Sequence, residues 1–343
     1  MQFKDYLEKI LNNCNLTEQE ACEIFGEIMD CKLTVAQISS LLVALRSKGE
    51  KIEEITGFVR AMRNRMEKII IEDNHLVDTC GTGGDEKSTF NVSTVSALVA
   101  AGAGCKVAKH GNRAVSSKTG SADLLESLGV RIDLSLEKIK ESIEKIGIGF
   151  LFAPNFHKAM KHAAPARREL GIKTVFNILG PLTNPAGTKK QLIGVFDEKL
   201  TEPLAMVMKN LGTEKAMFVH GEDGLDEITI TGKTKVTELN NGKINTYYIE
   251  PEQFGINRGN LNDLVCKDAE ENKKIALSVL KGEKSSRRDI VVLNAGATIY
   301  LAGIASSLKE GISLAKKSID SGAAINKLNQ LIEFTNSQEG YVI

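Results

Sequence analysis

Apolar residues in the first seventy positions recur at intervals of three and four, as they do along amphipathic helices. Thr17 with Glu20 predicts a capping box at the start of a second helix. Thr34 is placed to cap a third helix, which Gly49 would end. We therefore predict a small all-helical domain over residues 1–73, built from four helices whose apolar stripes form a core and an interface.

From position 76 the pattern changes to short apolar runs that alternate with helical stretches, which indicates an α/β domain with a central, mostly parallel sheet flanked by helices. We assign this domain to residues 74–343. The predicted strands cover 76–77, 105–108, 149–153, 191–196 and 215–220, followed by a hairpin at 235–249. The predicted helices start near position 91 and cover 121–128, 135–146, 156–170 and 203–211.

Two places in this α/β pattern need separate treatment. Pro165 lies inside the predicted helix 156–170, where it should kink or break the helix. The stretch near 165–185 ends in a Gly- and Pro-rich run, so we predict that it returns to the helical domain.

A glycine-rich turn follows the first predicted strand. Gly81, Gly83 and Gly84 lie within four positions, and without Cβ atoms the backbone N–H groups there can approach a ligand closely. The next helix begins near Asn91 with hydroxyl side chains, and a helix N-terminus attracts anions. This first strand–loop–helix unit therefore predicts a phosphate site.

A second unit repeats this layout directly afterwards, with a predicted strand at 105–108, a loop at 109–113 and a helix at 121–128. Its loops carry the cations Lys109, Arg113 and Lys118 and the hydroxyls of Ser116, Ser117 and Ser121. Taken singly, each loop could be an ordinary tight turn, and GTGGD matches neither the P-loop nor the dinucleotide fingerprint. Two such loops in succession predict a substrate with more than one phosphate group.

An acidic segment, HGEDGLDEITITG, places Asp223, Asp226 and Glu227 on or near one loop. Neighbouring carboxylates repel one another unless a metal or a cationic ligand joins them. Mg²⁺ is typically held by one or two carboxylates together with substrate phosphates, so the acidic loop and the phosphate loops support each other. The alternative is an acidic surface turn.

Composition narrows the choice of partners. Lys and Arg together number 44, as do Asp and Glu, and Trp is absent, which argues against non-specific nucleic-acid binding and base stacking. The six cysteines form no C-x-x-C pair and no zinc spacing, so we expect reduced thiols. The N-terminus lacks a signal-peptide core, and no apolar run approaches ~18 residues. We expect a cytoplasmic protein that binds neither membranes nor nucleic acid.

Five motifs in order make the chain resemble the anthranilate phosphoribosyltransferase family. They are GTGGD at 81–85, TFNVST at 89–94, KHGNRAVSSKTGSAD at 109–123, APARRELGIKTVFNILGPLTNPAG at 164–187 and DGLDEIT at 223–229. The run LNAGATIYLAG near the C-terminus adds to the likeness. Thr119 stands where the family usually has Ser, and Lys158 where Pro is common; neither removes a charge or hydroxyl used above.

The resemblance implies transfer of the 5-phosphoribosyl group from phosphoribosyl pyrophosphate (PRPP) to the amino group of anthranilate. The products would be N-(5-phosphoribosyl)anthranilate and pyrophosphate, in tryptophan biosynthesis. It also implies a homodimer formed through the helical domain, an active site in the cleft between the domains, and two Mg²⁺ ions per site.

Site residues follow from the same resemblance. Ser93, Asp226 and Glu227 would hold Mg²⁺, and Gly81, Asn112 and Arg167 would receive anthranilate, with Arg167 facing its carboxylate. The residues expected to bind PRPP are Gly81, Gly84, Asp85, Thr89, Asn91, Val92, Ser93, Thr94, Lys109, His110, Gly111, Asn112, Arg113, Ala114, Val115, Ser116, Ser117 and Ser121.

No catalytic nucleophile is expected, because the arylamine carries its own lone pair. Lys109, Asn112 and Arg167 should act through electrostatics and positioning. His110 could accept a proton, or it could pack against the loop or the substrate.

Two other functions fit part of the pattern. A pyrimidine nucleoside phosphorylase-like enzyme would share the architecture, but it would bind free phosphate and should not need the acidic loop. A non-catalytic nucleic-acid-binding relative should show a basic surplus and lose the acidic pair, and this chain has neither property.

Overall fold

The computed structural model describes residues 1–114 and 119–337. Its first part is helical, as predicted. The helices are α1 (Phe3–Leu11), α2 (Glu18–Met29), α3 (Val35–Lys48) and α4 (Ile52–Arg63). Both hydrogen bonds of the predicted capping box are present, since the N–H of Glu20 donates to Thr17 Oγ1 at 3.2 Å and the N–H of Thr17 donates to the Glu20 carboxylate at 2.8 Å. Thr34 caps α3 and Gly49 follows its last residue, so these predictions are confirmed.

A seven-stranded sheet forms the centre of the α/β domain. Its strands are β1 (Leu76–Gly81), β2 (Lys106–Gly111), β3 (Ile148–Phe152), β4 (Lys190–Gly194), β5 (Lys215–Gly221), β6 (Thr234–Asn240) and β7 (Lys243–Ile249). They lie in the order β3-β2-β1-β4-β5-β6-β7. The first five are parallel, and β6 and β7 add the predicted antiparallel hairpin. The predicted mostly parallel sheet is therefore confirmed.

Helices cover both faces of this sheet. On β4, Leu192 faces a core formed with the C-terminal helices, whereas Ile193 faces a core shared with the N-terminal helices. The helices that follow α4 are α5 (Val92–Gly102), α6 (Ser121–Ser127), α7 (Leu136–Ile146), α8 (Ala153–Phe156), α9 (Ala164–Leu170), α10 (Phe176–Leu179), α11 (Thr201–Asn210), α12 (Leu261–Leu264), α13 (Ala269–Leu280), α14 (Ser286–Ala302), α15 (Leu308–Asp320) and α16 (Ala323–Asn336). None of the described helices is both long and apolar enough to cross a membrane.

Two local predictions have different outcomes. The helix predicted over 156–170 is broken, as Pro165 suggested, into α8, a 3₁₀ turn at Lys158–His162 and α9, which has Pro165 in its first turn. The prediction of a loop at 109–113 is wrong for its first three positions. Lys109, His110 and Gly111 continue β2, because they pair with β3 along its whole length.

The segment after α9 returns to the N-terminal helices. Phe176 packs against Phe25 with ring centroids 5.0 Å apart, and the guanidinium of Arg63 donates to the carbonyl oxygen of Leu182 at 2.9 and 2.7 Å. The same core continues into the sheet through Ile193. The boundary between 1–73 and 74–343 stays a prediction.

The strand order locates the crevice of the fold. The chain moves outward from β1 to β2 and β3, then crosses back to pair β4 with the other edge of β1. In open α/β sheets, ligands bind beyond the carboxyl ends of the strands where the order reverses. Here β1 and β2 end at Gly81 and Gly111, and β4 and β5 end at Gly194 and Gly221.

Candidate active site

The glycine-rich loop leaves β1 at this reversal point. Gly83 and Gly84 have φ angles of +64° and +77°. Residues with a Cβ atom rarely adopt such positive φ angles. The Nζ of Lys173 donates to the carbonyl oxygen of Gly84 at 2.6 Å and so ties the loop to the segment that returns after α9. Sequence reasoning did not identify Lys173, because its partner is a backbone atom 89 positions away.

The acidic loop packs directly against the ends of β1 and β4. A Cβ atom at Gly81 would overlap the carboxylate of Asp226, and one at Gly194 would overlap its backbone oxygen. The N–H of Gly83 donates to Oδ2 of Asp226 at 2.8 Å. The structure thus brings together the phosphate loop and the acidic loop that the sequence suggested.

Three carboxylates, those of Asp85, Asp226 and Glu227, lie close together where the two loops meet. Burial, reinforced by the neighbouring Asp85, raises the pKa of Asp226 to about 7. Burial and then Asp226 raise the pKa of Glu227 well above its ordinary value, and burial raises that of Asp85. Asp226 and Glu227 as whole residues remain partly exposed, so a ligand can reach this loop. A divalent cation would relieve their mutual repulsion.

Asp223 acts on this carboxylate group only through its charge, which helps to raise the pKa of Asp85. Its Oδ2 accepts from the hydroxyls of Thr229 and Thr231, each at 2.5 Å, and it closes its own turn. The described residues contain no cluster of three or more His, Cys, Asp or Glu side chains arranged as a complete metal cage. Asp226 and Glu227 fit the other type of Mg²⁺ site, in which a carboxylate pair shares the ion with substrate phosphates.

Lys109 supplies a buried cation beside these groups. Its side chain, only 3% exposed, donates from Nζ to the carbonyl oxygen of Thr79 at 2.7 Å and to Oγ of Ser93 at 3.3 Å. Its charge also opposes the rise in the pKa of Glu227. Lys109 therefore lies between the acidic loop and the start of α5, where Ser93 and Thr94 occupy the first turn after Val92.

A closed set of hydrogen bonds connects the two predicted phosphate loops. Asn272 on α13 is fully buried, and its Nδ2 donates to Oδ1 of Asn91 at 2.6 Å and to Oγ1 of Thr119 at 2.8 Å. Its Oδ1 accepts from the N–H of Asn91 at 3.2 Å, and Nδ2 of Asn91 donates to the carbonyl oxygen of Thr119 at 3.2 Å. Asn272 lies far from both motifs in sequence, so no local pattern pointed to it.

The second loop is held by its own hydrogen bonds. The N–H of Asn112 donates to Oγ of Ser121 at 3.1 Å, and that hydroxyl donates to the carbonyl oxygen of Asn112 at 3.2 Å. The N–H of Ala114 donates to Asp123 at 3.0 Å. Thr89 forms a bridge with Val265 at the edge of the first loop. The predicted positions Val115, Ser116 and Ser117, with Lys118, lie outside the described residues.

Arg113, which the sequence placed among the cations of the second loop, is already paired with acidic side chains. Its guanidinium pairs with Asp123 at 3.1 Å and with Glu126 at 2.5 Å, and it lies over the ring of Phe152. Its charge is therefore balanced by carboxylates of this chain before any substrate arrives.

Arg167 and Arg168 on α9 have different surroundings. Arg167 is half-buried, lies 5.2 Å from the ring centre of Phe176, and forms no ion pair with any described carboxylate, including Glu169. Burial lowers its pKa. Arg168 is exposed. An anionic ligand could therefore find an available guanidinium at Arg167.

Two buried imidazoles lie near the end of β2. The rings of His110 and His157 are 5.2 Å apart, and neither Nε2 has a hydrogen-bond partner within the described structure. Burial, together with the neighbouring His157, holds the pKa of His110 well below its ordinary value, and burial lowers the pKa of His157 to about 4. A neutral imidazole with so low a pKa is a poor proton acceptor, which favours the packing role for His110.

The chain matches a known protein family in two parts, which together cover nearly its whole length. Residues 73–325 match the α/β domain of a glycosyl transferase family, and residues 4–66 match the helical bundle domain of the same family.

Individual relatives also match this chain over nearly its whole length. The anthranilate phosphoribosyltransferase of Acetivibrio thermocellus is 54% identical over 98% of this chain and 98% of its own. The crystal structure of the Thermus thermophilus anthranilate phosphoribosyltransferase superposes with a TM-score of 0.92 at 44% identity, covering 96% of this chain and 99% of that one. The Saccharomyces cerevisiae enzyme in complex with PRPP and Mg gives 0.88 at 30% identity, covering 97% of each chain.

Proposed function

The chain belongs to the anthranilate phosphoribosyltransferases of this glycosyl transferase family, and we propose that it transfers the 5-phosphoribosyl group of PRPP to the amino group of anthranilate, releasing pyrophosphate. The observation that carries the proposal is the contact between Gly83 and Asp226, which joins a phosphate-binding loop to a carboxylate pair. Nearly complete coverage of relatives with this activity supports it.

PRPP would lie along the carboxyl ends of β1 and β2. Backbone N–H groups of the glycine-rich loop and the N-terminus of α5 suit the negative charge of its phosphates. Lys109 adds a buried positive charge at the same place. The residues after Gly111, including Asn112 and Ser121, would enclose the ribose and its phosphates from the other side.

Mg²⁺ would be held by Ser93, Asp226 and Glu227 together with the pyrophosphate group, with two ions per site. The repulsion among the neighbouring carboxylates supports this assignment, because a cation would stabilise their charged forms. When bound, the metal would neutralise the charge that develops on the leaving pyrophosphate.

Anthranilate would enter from the helical side of the cleft. Arg167 presents a planar guanidinium that can meet a carboxylate with two charge-assisted hydrogen bonds. Gly81 and Asn112 would complete the acceptor site, and the neutral ring of His110 would pack beneath it.

The chemistry needs no nucleophile from the protein. As pyrophosphate leaves C1 of the ribose, the reaction passes through an oxocarbenium-like transition state, the arylamine attacks with its own lone pair to replace the C–O bond by a C–N bond, and the proton that the nitrogen then loses passes to the released pyrophosphate or to water. Lys109, Asn112 and Arg167 contribute by orienting the two substrates and by balancing charge.

We extend the proposal to a cytoplasmic homodimer that associates through the helical domain. Leu11 on α1 and Val43 on α3 support that surface, because their apolar side chains are 64% and 43% exposed. Light scattering should give twice the mass of one chain. A double change of Leu11→Glu and Val43→Glu should give a monomer, and an unaffected dimer would exclude this surface.

One assay tests the reaction itself. Anthranilate fluorescence should decay when PRPP and Mg²⁺ are both present and should stay constant when either is omitted. Phosphorolysis of uridine or thymidine without this decay would instead identify a nucleoside phosphorylase.

A further inference from the structure

Helix α14 runs behind the candidate active site and makes polar contacts with two of the elements that form it, α5 and the acidic loop. Most of its residues are buried, and it packs against β1, β4 and α5. The hydroxyl of Ser96 on α5 donates to the carbonyl oxygen of Val291 at 3.4 Å. The second contact comes from Asn294, which lies in the LNAGATIYLAG run.

The amide of Asn294 binds the backbone of Ile228, the residue directly after Glu227. Its Oδ1 accepts from the N–H of Ile228 at 2.9 Å, and its Nδ2 donates to the carbonyl oxygen of Ile228 at 2.9 Å. Nδ2 also donates to the carbonyl oxygen of Ile290 at 2.9 Å, and the side chain is fully buried. Both backbone groups of Ile228 are thus satisfied by one side chain, in the way a neighbouring strand would satisfy them.

The acidic loop needs such a contact because no strand holds it. β5 ends at Gly221 and β6 begins at Thr234, so Asp226 and Glu227 lie in irregular backbone. On the side of the glycine-rich loop, Asp226 is held by Gly83. Asn294 fixes the peptide that follows Glu227.

We propose that Asn294 is a positioning residue, which holds the backbone of the acidic loop so that Asp226 and Glu227 present their carboxylates together to a metal-bound pyrophosphate. This inference rests on the proposed metal role of those two carboxylates. Loss of the amide would leave both backbone groups of Ile228 without partners, and the loop would rearrange to recover them.

A binding experiment separates positioning from general stability. Manganese pyrophosphate, and pyrophosphate alone in EDTA, are titrated calorimetrically into the wild-type protein, and the ratio of the two dissociation constants measures the gain due to metal. The variants are Asn294→Ala, Asn294→Ser, Asp226→Asn and the control Ser318→Ala. Ser318 is also buried, and its hydroxyl donates to the carbonyl oxygen of Val99 at 2.8 Å, but it lies on α15 away from the acidic loop.

Asn294→Ala should reduce the metal-dependent gain by about tenfold, which corresponds to ~1.4 kcal/mol. Asn294→Ser, which keeps one hydrogen-bonding group, should give a smaller reduction. The Ser318→Ala protein should lose thermal stability and keep the full gain. If Asn294→Ala does not fold, the serine variant decides the question.

Two results would contradict the inference and can be told apart. A gain that survives in the Asn294 variants but disappears in Asp226→Asn would show that Asn294 is only a stabilising residue. A wild-type protein with no metal-dependent gain, or one whose gain survives Asp226→Asn, would overturn the metal role of the acidic loop and this inference with it.

Discussion

Gly83 donates its backbone N–H to Oδ2 of Asp226 at 2.8 Å, although the two residues lie 143 positions apart in the chain. The glycine-rich loop and the acidic loop therefore form one continuous surface at the carboxyl ends of β1 and β4. A phosphate group bound by the first loop would lie beside the carboxylates of the second.

The acidic pair should matter for turnover and oppose stability. Asp226→Asn combined with Glu227→Gln should greatly lower turnover at ordinary Mg²⁺ concentrations while the protein stays folded. Full activity of the double variant, or of the wild-type protein in EDTA, would contradict the metal role.

The same pair predicts a pH-dependent stability. The pKa of Asp226 is raised from 3.8 to about 7, so its protonated form is favoured in the fold, and its unfavourable effect grows as pH rises from about 4 through 7. In EDTA, Asp226→Asn should therefore raise the melting temperature at pH 8 and change it little at pH 4. A lower melting temperature at pH 8 would show that the carboxylate stabilises the metal-free fold. Differential scanning calorimetry at both pH values makes the comparison.

Gly83→Val should abolish PRPP binding measured by calorimetry, with little change in circular dichroism. Nothing lies within 4 Å of a Cβ at Gly83, so the cause would be the φ of +64° and the obstruction of the approaching ligand. Gly212→Val is a matched control, because Gly212 has a φ of +80° and equally open space but precedes β5, at the amino ends of the parallel strands and so at the end of the sheet opposite to Gly83. Equal loss of PRPP binding in both variants would point to backbone strain alone.

Arg167→Ala should raise the Michaelis constant for anthranilate roughly ten- to hundredfold, because a charge-assisted contact contributes ~1.5–3 kcal/mol. The Michaelis constant for PRPP should stay nearly unchanged. Arg168→Ala is the matched control and should do much less, since Arg168 is exposed. Equal effects of the two variants, or a rise confined to the Michaelis constant for PRPP, would show that Arg167 does not bind the carboxylate of anthranilate.

Asn272→Ala should raise the Michaelis constant for PRPP more than that for anthranilate, because Asn272 connects Asn91 in the first loop with Thr119 in the second. Asn336→Ala is the control. It removes an amide at the end of α16 that donates to the carbonyl oxygen of Gly129 at 2.9 Å. It should leave both constants unchanged. Steady-state kinetics with each substrate varied in turn would show the difference, and equal rises for the two substrates would argue against a specific link between the loops.

His157 should remain neutral down to a pH of about 4, because burial lowers its pKa from 6.5. A base with a depressed pKa contributes stability above its unfolded pKa and loses it as the pH falls through the folded value. Stability should therefore decline between pH 6.5 and 4, and less so in a His157→Gln protein. Nuclear magnetic resonance titration of the imidazole signals provides the direct measurement, and a midpoint near 6.5 would contradict the burial argument.

The sequence predicted those features that depend on local spacing. The capping box at Thr17, the break at Pro165 and the two strand–loop–helix units all follow from residues within a few positions of each other. The extent of β2 was missed, because pairing with β3 extends the strand through Lys109. Lys173, Asn272 and Asn294 were also missed as site residues. Their partners are backbone or amide atoms in distant segments, and only the folded chain brings them together.

The return of the chain to its N-terminal helices has a consequence for synthesis on the ribosome. Phe25 packs against Phe176 as well as against Phe58, and Leu179 and Leu182 belong to the same core. These partners leave the exit tunnel more than a hundred residues later. The first four helices therefore expose an apolar face until α10 has been synthesised. We expect a chaperone to bind the nascent chain during that time.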